Sequence, residues 1–396
     1  MQMPSPRPAR VRNTRLILKT IYGIGPISRA DVARETGLTP PTVSDVVASL
    51  IKIGLVEEIG LAPSSSGRRA ILLRVIDDSR QIIGVDLSRE DFRGALTNLR
   101  GHISHRNVIP LEDRDGDAAL ALVYDLVDRL VDEATRVVSG IGIGAPGLVD
   151  ASKGVLQQSV NLNWRFIPFA NLLQKRYNLP VYMANDSQAG ALAIYTFGQG
   201  NESHLPLVVI KLGRGVGAGI ILDGKLLHGN PVGAGEIGHI MIDPDGDQCA
   251  CGNYGCLETI ASSRWIVRRV RKLIKTNPHS ALSDLVSDPE KINLETIYGA
   301  LEIGNEDVRQ VIREAGEALG IAAANLVGVL GSCQILVHGS VARFGQLLLN
   351  PMRETMEQRA LPALSRDSVV GIASTESDIV IKGAAALVLQ NELGVL

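Results

Sequence analysis

The most informative stretch of the sequence reads GEIGH at residues 235–239 and, ten residues after the histidine, CACGNYGCLE at residues 249–258. It supplies four candidate metal ligands, which are His239, Cys249, Cys251 and Cys256. Three thiolates and one imidazole complete the tetrahedral shell of zinc, and the glycines between the cysteines permit the tight turns that bring close-spaced sulfurs together. A filled shell leaves no open position for water, so we predict a structural Zn²⁺ rather than a catalytic one. The alternative is a loop of unligated thiols.

Cysteine usage and apolar patterning indicate the compartment. The fourth cysteine, Cys333, lies in an uncharged run at 319–337, and one metal cluster beside one buried thiol favours a cytoplasmic protein over a disulfide scaffold. The run is as long as a membrane span, but its glycines and polar residues predict a buried helix, a turn and a buried strand, so no membrane partner is expected. No apolar signal segment follows Met1, which argues against export.

Length and charge set further limits. The chain has 396 residues, of which 45% are hydrophobic and 21% charged. This is enough for two or three domains with cores, and it excludes a small peptide, a fibre or a disordered regulator. The formal net charge is −2, but residues 1–74 contain 11 basic and 5 acidic side chains, so this region carries +6 and the remainder −8. Such asymmetry predicts a basic, nucleic-acid-binding head on an acidic body.

The N-terminal pattern predicts three helices. Residues 1–10 are typical of a disordered basic tail, and apolar residues at helical spacing follow as far as Gly23. A second helix starts at Ser28, where Asp31 completes a capping-box pattern. A third is N-capped by Thr39, with two prolines in its first turn, where a missing N–H costs nothing. The short turn between the last two helices is typical of a helix-turn-helix motif, which places its final helix in the major groove.

A wing follows this motif. Strands predicted at 56–59 and 70–76 flank a loop whose tip, residues 64–69, is rich in serine and ends in two arginines. Arginines at such a tip can pair with phosphates or enter the minor groove. We therefore predict a winged helix-turn-helix domain over 1–80 that binds double-stranded operator DNA. The candidate DNA contacts are Thr39, Pro41, Thr42, Ser44, Asp45, Arg68 and Arg69. The alternative is a helical dimerisation module with a solvated hairpin.

The rest of the chain predicts an α/β body. Three consecutive strands from Gln81 are followed by alternating helices and strands, and the theme recurs in the second half. This pattern predicts two α/β lobes with a ligand cleft between them. We place a small lobe at 81–184, completed by a C-terminal helix at 378–396, and a large lobe with the zinc site at 185–377.

Five further motifs accompany the metal motif, in the order GAPGLVD at 144–150, NDSQAG at 185–190, GRGVGAG at 213–219, HGS at 338–340 and KGAA at 382–385. Together they resemble the ROK family of sugar kinases and sugar-responsive repressors, and the likeness covers nearly the whole chain. The resemblance implies a two-lobed, actin/hexokinase-like (ribonuclease H-like) body. The N-terminal winged helix resembles the family's repressor branch, of the N-acetylglucosamine and xylose repressor type.

The resemblance also implies a sugar site. In the family, an Asn-Asp pair at the head of a helix binds sugar hydroxyls, and its Asp is the base that deprotonates the phosphate-accepting hydroxyl in the kinases. Asn185 and Asp186 match this pair. The other implied sugar ligands are Glu236, His239, Glu258, Asn161 and Gly147. His239 would contact the sugar with one ring nitrogen and zinc with the other. The alternative for Asn185 and Asp186 is a helix cap.

The sequence departs from the kinase pattern where ATP would bind. Family kinases follow the first strand's Asp with a glycine-rich turn ending in Thr, whereas Asp86 is followed here by LSRED at 87–91. Backbone N–H groups cannot approach phosphate as closely past side chains, and Glu90 and Asp91 add negative charge. In the second phosphate loop, Arg214 stands where kinases usually carry a small hydroxyl residue.

We therefore expect a repressor that senses a sugar or sugar derivative and has no catalytic role. A homodimer or homotetramer is expected, because two-fold symmetry doubles the short site that one winged helix reads. Two alternatives stay open. One is an ATP-dependent, zinc-containing sugar kinase with a DNA-binding head, and the other is a regulator controlled by a protein partner, with a vestigial sugar site.

Overall fold

The computed structural model of the protein describes residues 6–61, 70–88, 90–198, 204–229, 232–276, 288–373 and 377–395. Contacts between residues divide the chain into two units. The first unit comprises Met1–Ala189 and Val380–Leu396, and the second comprises Gly190–Ile379. The first unit therefore contains both the N-terminal head and the C-terminal helix.

The head is a winged helix. Its elements are α1 (Pro6–Ile24), β1 (Ile27–Ser28), α2 (Arg29–Thr36), α3 (Pro40–Lys52), β2 (Val56–Leu61) and β3 (Ile71–Val75). The strands form an antiparallel sheet in the order β1-β3-β2. The predicted cap of the second helix is confirmed, because the Ser28 hydroxyl accepts a hydrogen bond from the Asp31 amide at 3.2 Å. Thr39 is the N-cap residue of α3, as expected, although its side chain makes no capping hydrogen bond.

The first helix begins earlier than the sequence indicated. Residues 6–10, expected to belong to a disordered tail, form the first turns of α1. Prolines at 6 and 8 are compatible with a first turn, where the missing N–H groups have no intrahelical acceptor. These turns also reach α3, because the Arg10 guanidinium lies 3.5 Å from the Ser49 hydroxyl. The predicted wing tip at 64–69 lies outside the described residues.

A five-stranded mixed sheet forms the body of the first unit. The elements are β4 (Gln81–Leu87), β5 (Asp91–Thr97), β6 (Ile103–Pro110), α4 (Gly116–Asp132), β7 (Val138–Ala145), β8 (Leu148–Asp150), β9 (Val155–Ser159), β10 (Trp164–Ile167), α5 (Phe169–Tyr177) and β11 (Val181–Asn185). Helix α6 (Asp186–Phe197) begins in this unit and continues into the second. The main sheet has the order β11-β7-β4-β5-β6, with β4, β7 and β11 parallel. Strands β8, β9 and β10 form a separate antiparallel sheet. The three consecutive strands and the helices and strands predicted after them are present, but β8, β9 and β10 interrupt the predicted alternation between β7 and α5.

The second unit also combines a five-stranded sheet with helices. Its elements are β12 (Leu207–Leu212), β13 (Val216–Leu222), β14 (Lys225–Leu226), α7 (Glu258–Ala261), α8 (Ser263–Thr276), α9 (Leu294–Glu302), α10 (Glu306–Leu330), β15 (Gln334–His338), α11 (Gln346–Arg359), α12 (Pro362–Ser365) and β16 (Val369–Ile372). The sheet order is β14-β13-β12-β15-β16. The uncharged run at 319–337 is the end of α10, a turn with the buried Cys333, and β15, as predicted. No helix within the described residues is long and apolar enough to cross a bilayer.

The C-terminal helix α13 (Ile379–Val388) packs closely against the first unit's main sheet. A Cβ atom at Gly142 would lie 1.8 Å from the backbone oxygen of Ala384, and one at Gly383 would lie 1.8 Å from that of Ala189. Only glycine allows such an approach between backbones. The KGAA motif at 382–385 therefore serves the close packing of this helix.

Candidate functional site

The predicted metal ligands come together in the second unit. The ligand atoms of His239, Cys249, Cys251 and Cys256 all lie within 4.8 Å of one another. The Sγ atom of Cys249 is 3.7 Å from the Nδ1 atom of His239, and the other two sulfurs are also 3.7 Å apart. Tetrahedral zinc with Zn–S bonds of about 2.3 Å requires ligand separations of about 3.8 Å. The four residues therefore fit one metal ion, with His239 binding through Nδ1.

Tight backbone pairing builds this cluster. An isolated bridge pairs Met241 with Cys256, which brings the histidine segment beside the last cysteine. Gly255 has a φ of 63°, and a Cβ atom there would lie 1.5 Å from the Asp243 backbone oxygen, so only glycine fits. Burial raises the pKa of the Cys256 thiol to about 12. A metal ion would have to displace that proton, so binding would release it.

Two of the predicted sugar ligands, Glu236 and Glu258, lie on the segments that carry the cluster. Glu236 directly precedes the helical turn Ile237–His239, and Glu258 begins α7. The Glu258 carboxylate accepts a hydrogen bond from the Val216 amide at 3.2 Å. The Leu257 amide also donates to the Ile240 backbone oxygen at 2.9 Å. This hydrogen bond joins the segment that carries Glu236 and His239 to the segment that carries Glu258.

The glycine loop between β12 and β13 lies against the Glu258 carboxylate. A Cβ atom at Gly215 would lie 2.7 Å from the Oε2 atom of Glu258. The loop is also fastened to the following helices, because the Ser263 amide donates to the Gly213 backbone oxygen at 2.8 Å. The first contact gives a reason for glycine at 215, whereas a Cβ atom at Gly213 would meet nothing within 4 Å.

In the first unit, Asn185 caps a helix and also contacts Gly147, another predicted sugar ligand. Its Oδ1 atom accepts hydrogen bonds from the amides of Ser187 at 2.8 Å and Gln188 at 3.4 Å, which is a helix cap for α6. Its Nδ2 group donates to the Gly147 backbone oxygen at 3.0 Å. The oxygen atom of the side chain therefore acts as the helix cap that was considered as an alternative. The Nδ2 group contacts Gly147, a second predicted sugar ligand. Asp186 lies beside it as the first residue of α6.

Two other predicted ligands of this unit sit on the small antiparallel sheet. Gly147 has a φ of 98°, and a Cβ atom there would lie 2.2 Å from the Gln158 backbone oxygen, so glycine is required. Asn161 is exposed in the helical turn Val160–Leu162, between β9 and β10. The fold thus brings Gly147 into contact with Asn185 and places Asn161 on a neighbouring strand connection.

The turn after the first strand of the body is closed by side chains. The Ser88 hydroxyl donates to the Asp91 backbone oxygen at 2.6 Å, and Arg93 forms a bidentate ion pair with the Asp91 carboxylate at 2.7 and 3.0 Å. The expectation that Asp91 adds repulsive charge is therefore wrong, because Arg93 offsets it. Among the described residues, contacts within this turn are therefore made by the side chains of Ser88, Asp91 and Arg93.

The face of α3 opposite the core is exposed within the described part of the chain. Pro41, Ser44 and Asp45 are exposed, Thr42 is half-buried, and its hydroxyl lies 2.9 Å from that of Thr39. Arg68 and Arg69 lie outside the described residues. Arg10 of α1 lies beside this helix, 3.5 Å from the Ser49 hydroxyl, although residues 1–10 were expected to form a disordered tail.

A winged helix-turn-helix head on two α/β units defines a DNA-binding regulator with a kinase-like body. A winged helix-turn-helix DNA-binding family model matches residues 11–57, and the ROK family model matches residues 82–391. The chain belongs to the ROK family. The predicted head and body are thereby confirmed.

Individual proteins agree with this assignment. The chain is 34% identical to a xylose repressor of Caldicellulosiruptor bescii over 96% of both chains. It is 29% identical to the DNA-binding transcriptional dual regulator NagC of Escherichia coli over 89% of this chain and 86% of NagC. It is also 32% identical to a glucokinase of Halalkalibacterium halodurans, over 79% of this chain and 96% of the glucokinase.

Among solved structures, a ROK family transcriptional regulator described as a homologue of the Escherichia coli MLC protein superposes with a TM-score of 0.87. The two chains are 31% identical, and the match covers 98% of each. This similarity includes the winged helix, whereas the glucokinase match covers 79% of this chain.

Proposed function

We propose that the protein is a sugar-responsive transcriptional repressor that binds operator DNA through residues 1–80 and a sugar effector through its ROK body. One observation carries the proposal: a winged helix with an open recognition face is joined to a ROK body whose first turn is closed by Ser88, Asp91 and Arg93. The head would supply DNA binding, and the side-chain contacts in this turn support a body without the glycine-rich cradle that a kinase would use for its nucleotide. The effector would relieve repression of genes for carbohydrate uptake or breakdown.

The sugar would be held by directional hydrogen bonds. The proposed sugar ligands of the first unit are Asn185, Asp186, Gly147 and Asn161. Those of the second unit are Glu236, His239 and Glu258. Carboxylates, amides and an oriented imidazole supply the donors and acceptors that a polyhydroxylated ligand needs. Zinc on the Cys₃His cluster would be structural: it would fix His239 through Nδ1, which leaves the other ring nitrogen for a hydroxyl.

The identity of the effector can be tested directly. The relative named xylose repressor makes D-xylose the first candidate, with N-acetylglucosamine and its phosphate next. A ligand that binds only the native state stabilises it by about 2.7 kcal/mol at 100 times its Kd. A thermal-shift screen of pentoses, hexoses, N-acetylhexosamines and their phosphates should therefore reveal one stabilising sugar, and that sugar should change operator affinity. A screen in which no sugar stabilises the protein would favour control by a protein partner.

We also propose a cytoplasmic homodimer or homotetramer, with domains at 1–80, 81–184 with 378–396, and 185–377. A two-fold assembly would present two winged helices to half-sites about one helical turn apart. Light scattering on the free protein and on its operator complex would give the subunit number. A monomer in both states would contradict this assembly.

A sugar kinase is the second candidate function, and Asp186 favours it. The carboxylate stands at the head of α6, where family kinases hold their base. Phosphoryl transfer depends mainly on positioning and on charge stabilisation of the γ-phosphate, and each lost electrostatic group typically costs a factor of about 100 to 1,000. We expect ADP release with the effector sugar to stay far below kinase rates of about 1 s⁻¹. Turnover at that rate, abolished by Asp186→Asn, would identify an enzyme instead.

A further inference from the structure

A cavity of about 310 Å³ lies next to the metal cluster, within the second unit. Its lining residues are Gln248, Cys249, Ala250, Arg264, Trp265 and Arg268. We propose that this cavity binds the phosphate group of a small phosphorylated molecule. The proposed function assigns no role to Arg264, Trp265 or Arg268, so this site is additional to the sugar ligands.

The two arginines occupy an unfavourable place on their helix. Arg264 and Arg268 are one helical turn apart in the first turns of α8, so they share a face. Cations near a helix N-terminus are opposed by the helix dipole, and like charges at this spacing repel each other. An anion bound between the two guanidinium groups would offset both effects.

The existing partners of these arginines leave room for an anion. Arg264 lies 3.5 Å from the Glu258 carboxylate, which is the longest ion pair described for α8. No carboxylate among the described residues forms an ion pair with Arg268, whose guanidinium instead lies over the Trp265 ring, 4.5 Å from its centroid. Glu258 and a zinc ion with three thiolates would together carry two negative charges, which formally balance the two guanidinium groups. An anion is therefore expected from the lack of a close bidentate partner among the described residues and not from surplus charge.

Trp265 supplies an independent sign of a missing acceptor. Its side chain is 5% exposed, and its Nε1 group has no hydrogen-bond partner in the described part of the chain. A buried indole N–H normally finds an acceptor. Trp265 lines the same cavity as the two arginines, and the Arg268 guanidinium lies over its ring.

The polar groups of the cavity define the chemistry of the ligand. Arg264, Arg268 and Trp265 can only donate hydrogen bonds, and Gln248 can donate through its amide. A phosphate monoester offers three acceptor oxygens and suits the planar guanidinium fork. A cavity of about 310 Å³ is at the small end for ligand sites, which usually span about 300–1,000 Å³, so it would hold the phosphate and a small organic part.

A phosphate group bound at this site would also weaken the ion pair between Arg264 and Glu258. An anion that engages Arg264 competes with the Glu258 carboxylate for the same guanidinium. This consequence depends on the proposed function, because Glu258 is a proposed sugar ligand. Phosphate binding itself does not depend on it.

Isothermal titration of the full, metal-loaded chain with inorganic phosphate and then glycerol 3-phosphate, at constant ionic strength, tests the proposal. We expect saturable binding that is weakened at least tenfold by Arg268→Ala and by Arg264→Ala. Arg268→Lys should recover only part of the affinity, because it restores the charge but not the fork. The matched control is Lys272→Ala, which removes an exposed charge one turn further along α8 and outside the cavity; it should change affinity less than twofold.

Fluorescence provides a second readout. Phosphate should alter the emission of the wild-type protein, and Trp265→Phe should remove that change while Trp164 still emits. Absence of saturable binding, or an equal loss in Lys272→Ala and Arg268→Ala, would overturn the proposal. Sugar stabilisation and operator binding of the same preparation are measured separately, so failure here leaves the repressor function to be judged by its own tests.

Discussion

Arg15 of α1 donates a hydrogen bond from Nη2 to the backbone oxygen of Asn391 at 2.6 Å, across 376 residues of sequence. Asn391 lies in the helical turn Leu389–Leu393 that follows α13. The neighbouring Glu392 accepts a hydrogen bond from the Tyr182 hydroxyl. Tyr182 lies on β11, three residues before Asn185. Direct contacts within the first unit therefore run from a proposed sugar ligand to the first helix of the DNA-binding head.

We predict that Tyr182→Phe weakens the coupling between sugar and DNA. Burial, with help from Glu392, raises the pKa of Tyr182 to about 12, so the phenol keeps its proton and donates at physiological pH. Without that hydrogen bond, the variant should bind sugar and operator nearly as wild type does, while the effect of sugar on operator affinity falls at least threefold. Fluorescence anisotropy with labelled operator, with and without sugar, measures this ratio. Tyr177→Phe, which removes a phenol bonded to Asp128, is the matched control, and an unchanged ratio in Tyr182→Phe would contradict the prediction.

Arg10 should contact a DNA phosphate. It extends from α1 to Ser49 on α3, so its charge lies beside the helix expected in the major groove. Each phosphate contact contributes about 0.9 to the slope of log K against log salt. Arg10→Ala should lower the slope by about that amount and weaken operator and unrelated DNA alike. Lys19→Ala, on the same helix, serves as the control, and equal slopes for Arg10→Ala and wild type would remove Arg10 from the interface.

The wing and the recognition helix should affect DNA binding in different ways. Arg68→Ala with Arg69→Ala should weaken binding to all sequences and reduce its salt dependence, because such contacts release counterions from phosphates. Substitution of Thr42 or Ser44 should instead change the preferred operator sequence. Binding-site selection and salt titrations separate the two effects. An unchanged salt slope in the double arginine variant would exclude the wing from the interface.

Cys251→Ser should remove the metal ion and the response to sugar. Three ligands hold zinc less well than four, and the glycine turns around the cluster lose the ion that organises them. Operator binding without sugar should persist, because the cluster lies in the second unit and the head in the first. Elemental analysis, thermal shift with sugar and anisotropy measure the three properties. Cys333→Ala, at a buried thiol outside the cluster, should keep one metal ion per chain, and wild-type protein purified without any bound metal would defeat the prediction.

Two substitutions of Asn185 should distinguish its contribution to stability from its contribution to sugar affinity. Asn185→Ala loses both the cap of α6 and the hydrogen bond to Gly147, and loss of such a cap typically lowers the free energy of unfolding by about 1 kcal/mol. Asn185→Asp retains an acceptor for the Ser187 amide but no donor for the Gly147 oxygen. It should recover part of the stability in urea denaturation and none of the sugar affinity. Sugar binding at wild-type strength in Asn185→Asp would show that the amide donor is unnecessary.

Local features of this protein could be predicted from sequence. The Ser28 cap and the metal ligands at 239–256 depend on residue types a few positions apart, and the helix–strand alternation depends on hydrophobic period. The errors also have local causes. Two early prolines and several arginines suggested a tail where the chain forms α1, and the charge of Asp91 was considered without Arg93, two residues further along the strand.

Contacts between residues distant in sequence were decided by tertiary structure. Arg10 meets Ser49 only because α1 packs across α3, and Asn185 meets Gly147 only because β11 and β7 are parallel neighbours. The contact of Arg15 with Asn391 requires the last helix to return to the first unit. No periodicity or spacing encodes these pairs, because each depends on how whole elements pack to bury their apolar faces. The same packing places Trp265 and two arginines around one cavity, which the amphipathic pattern of α8 alone does not reveal.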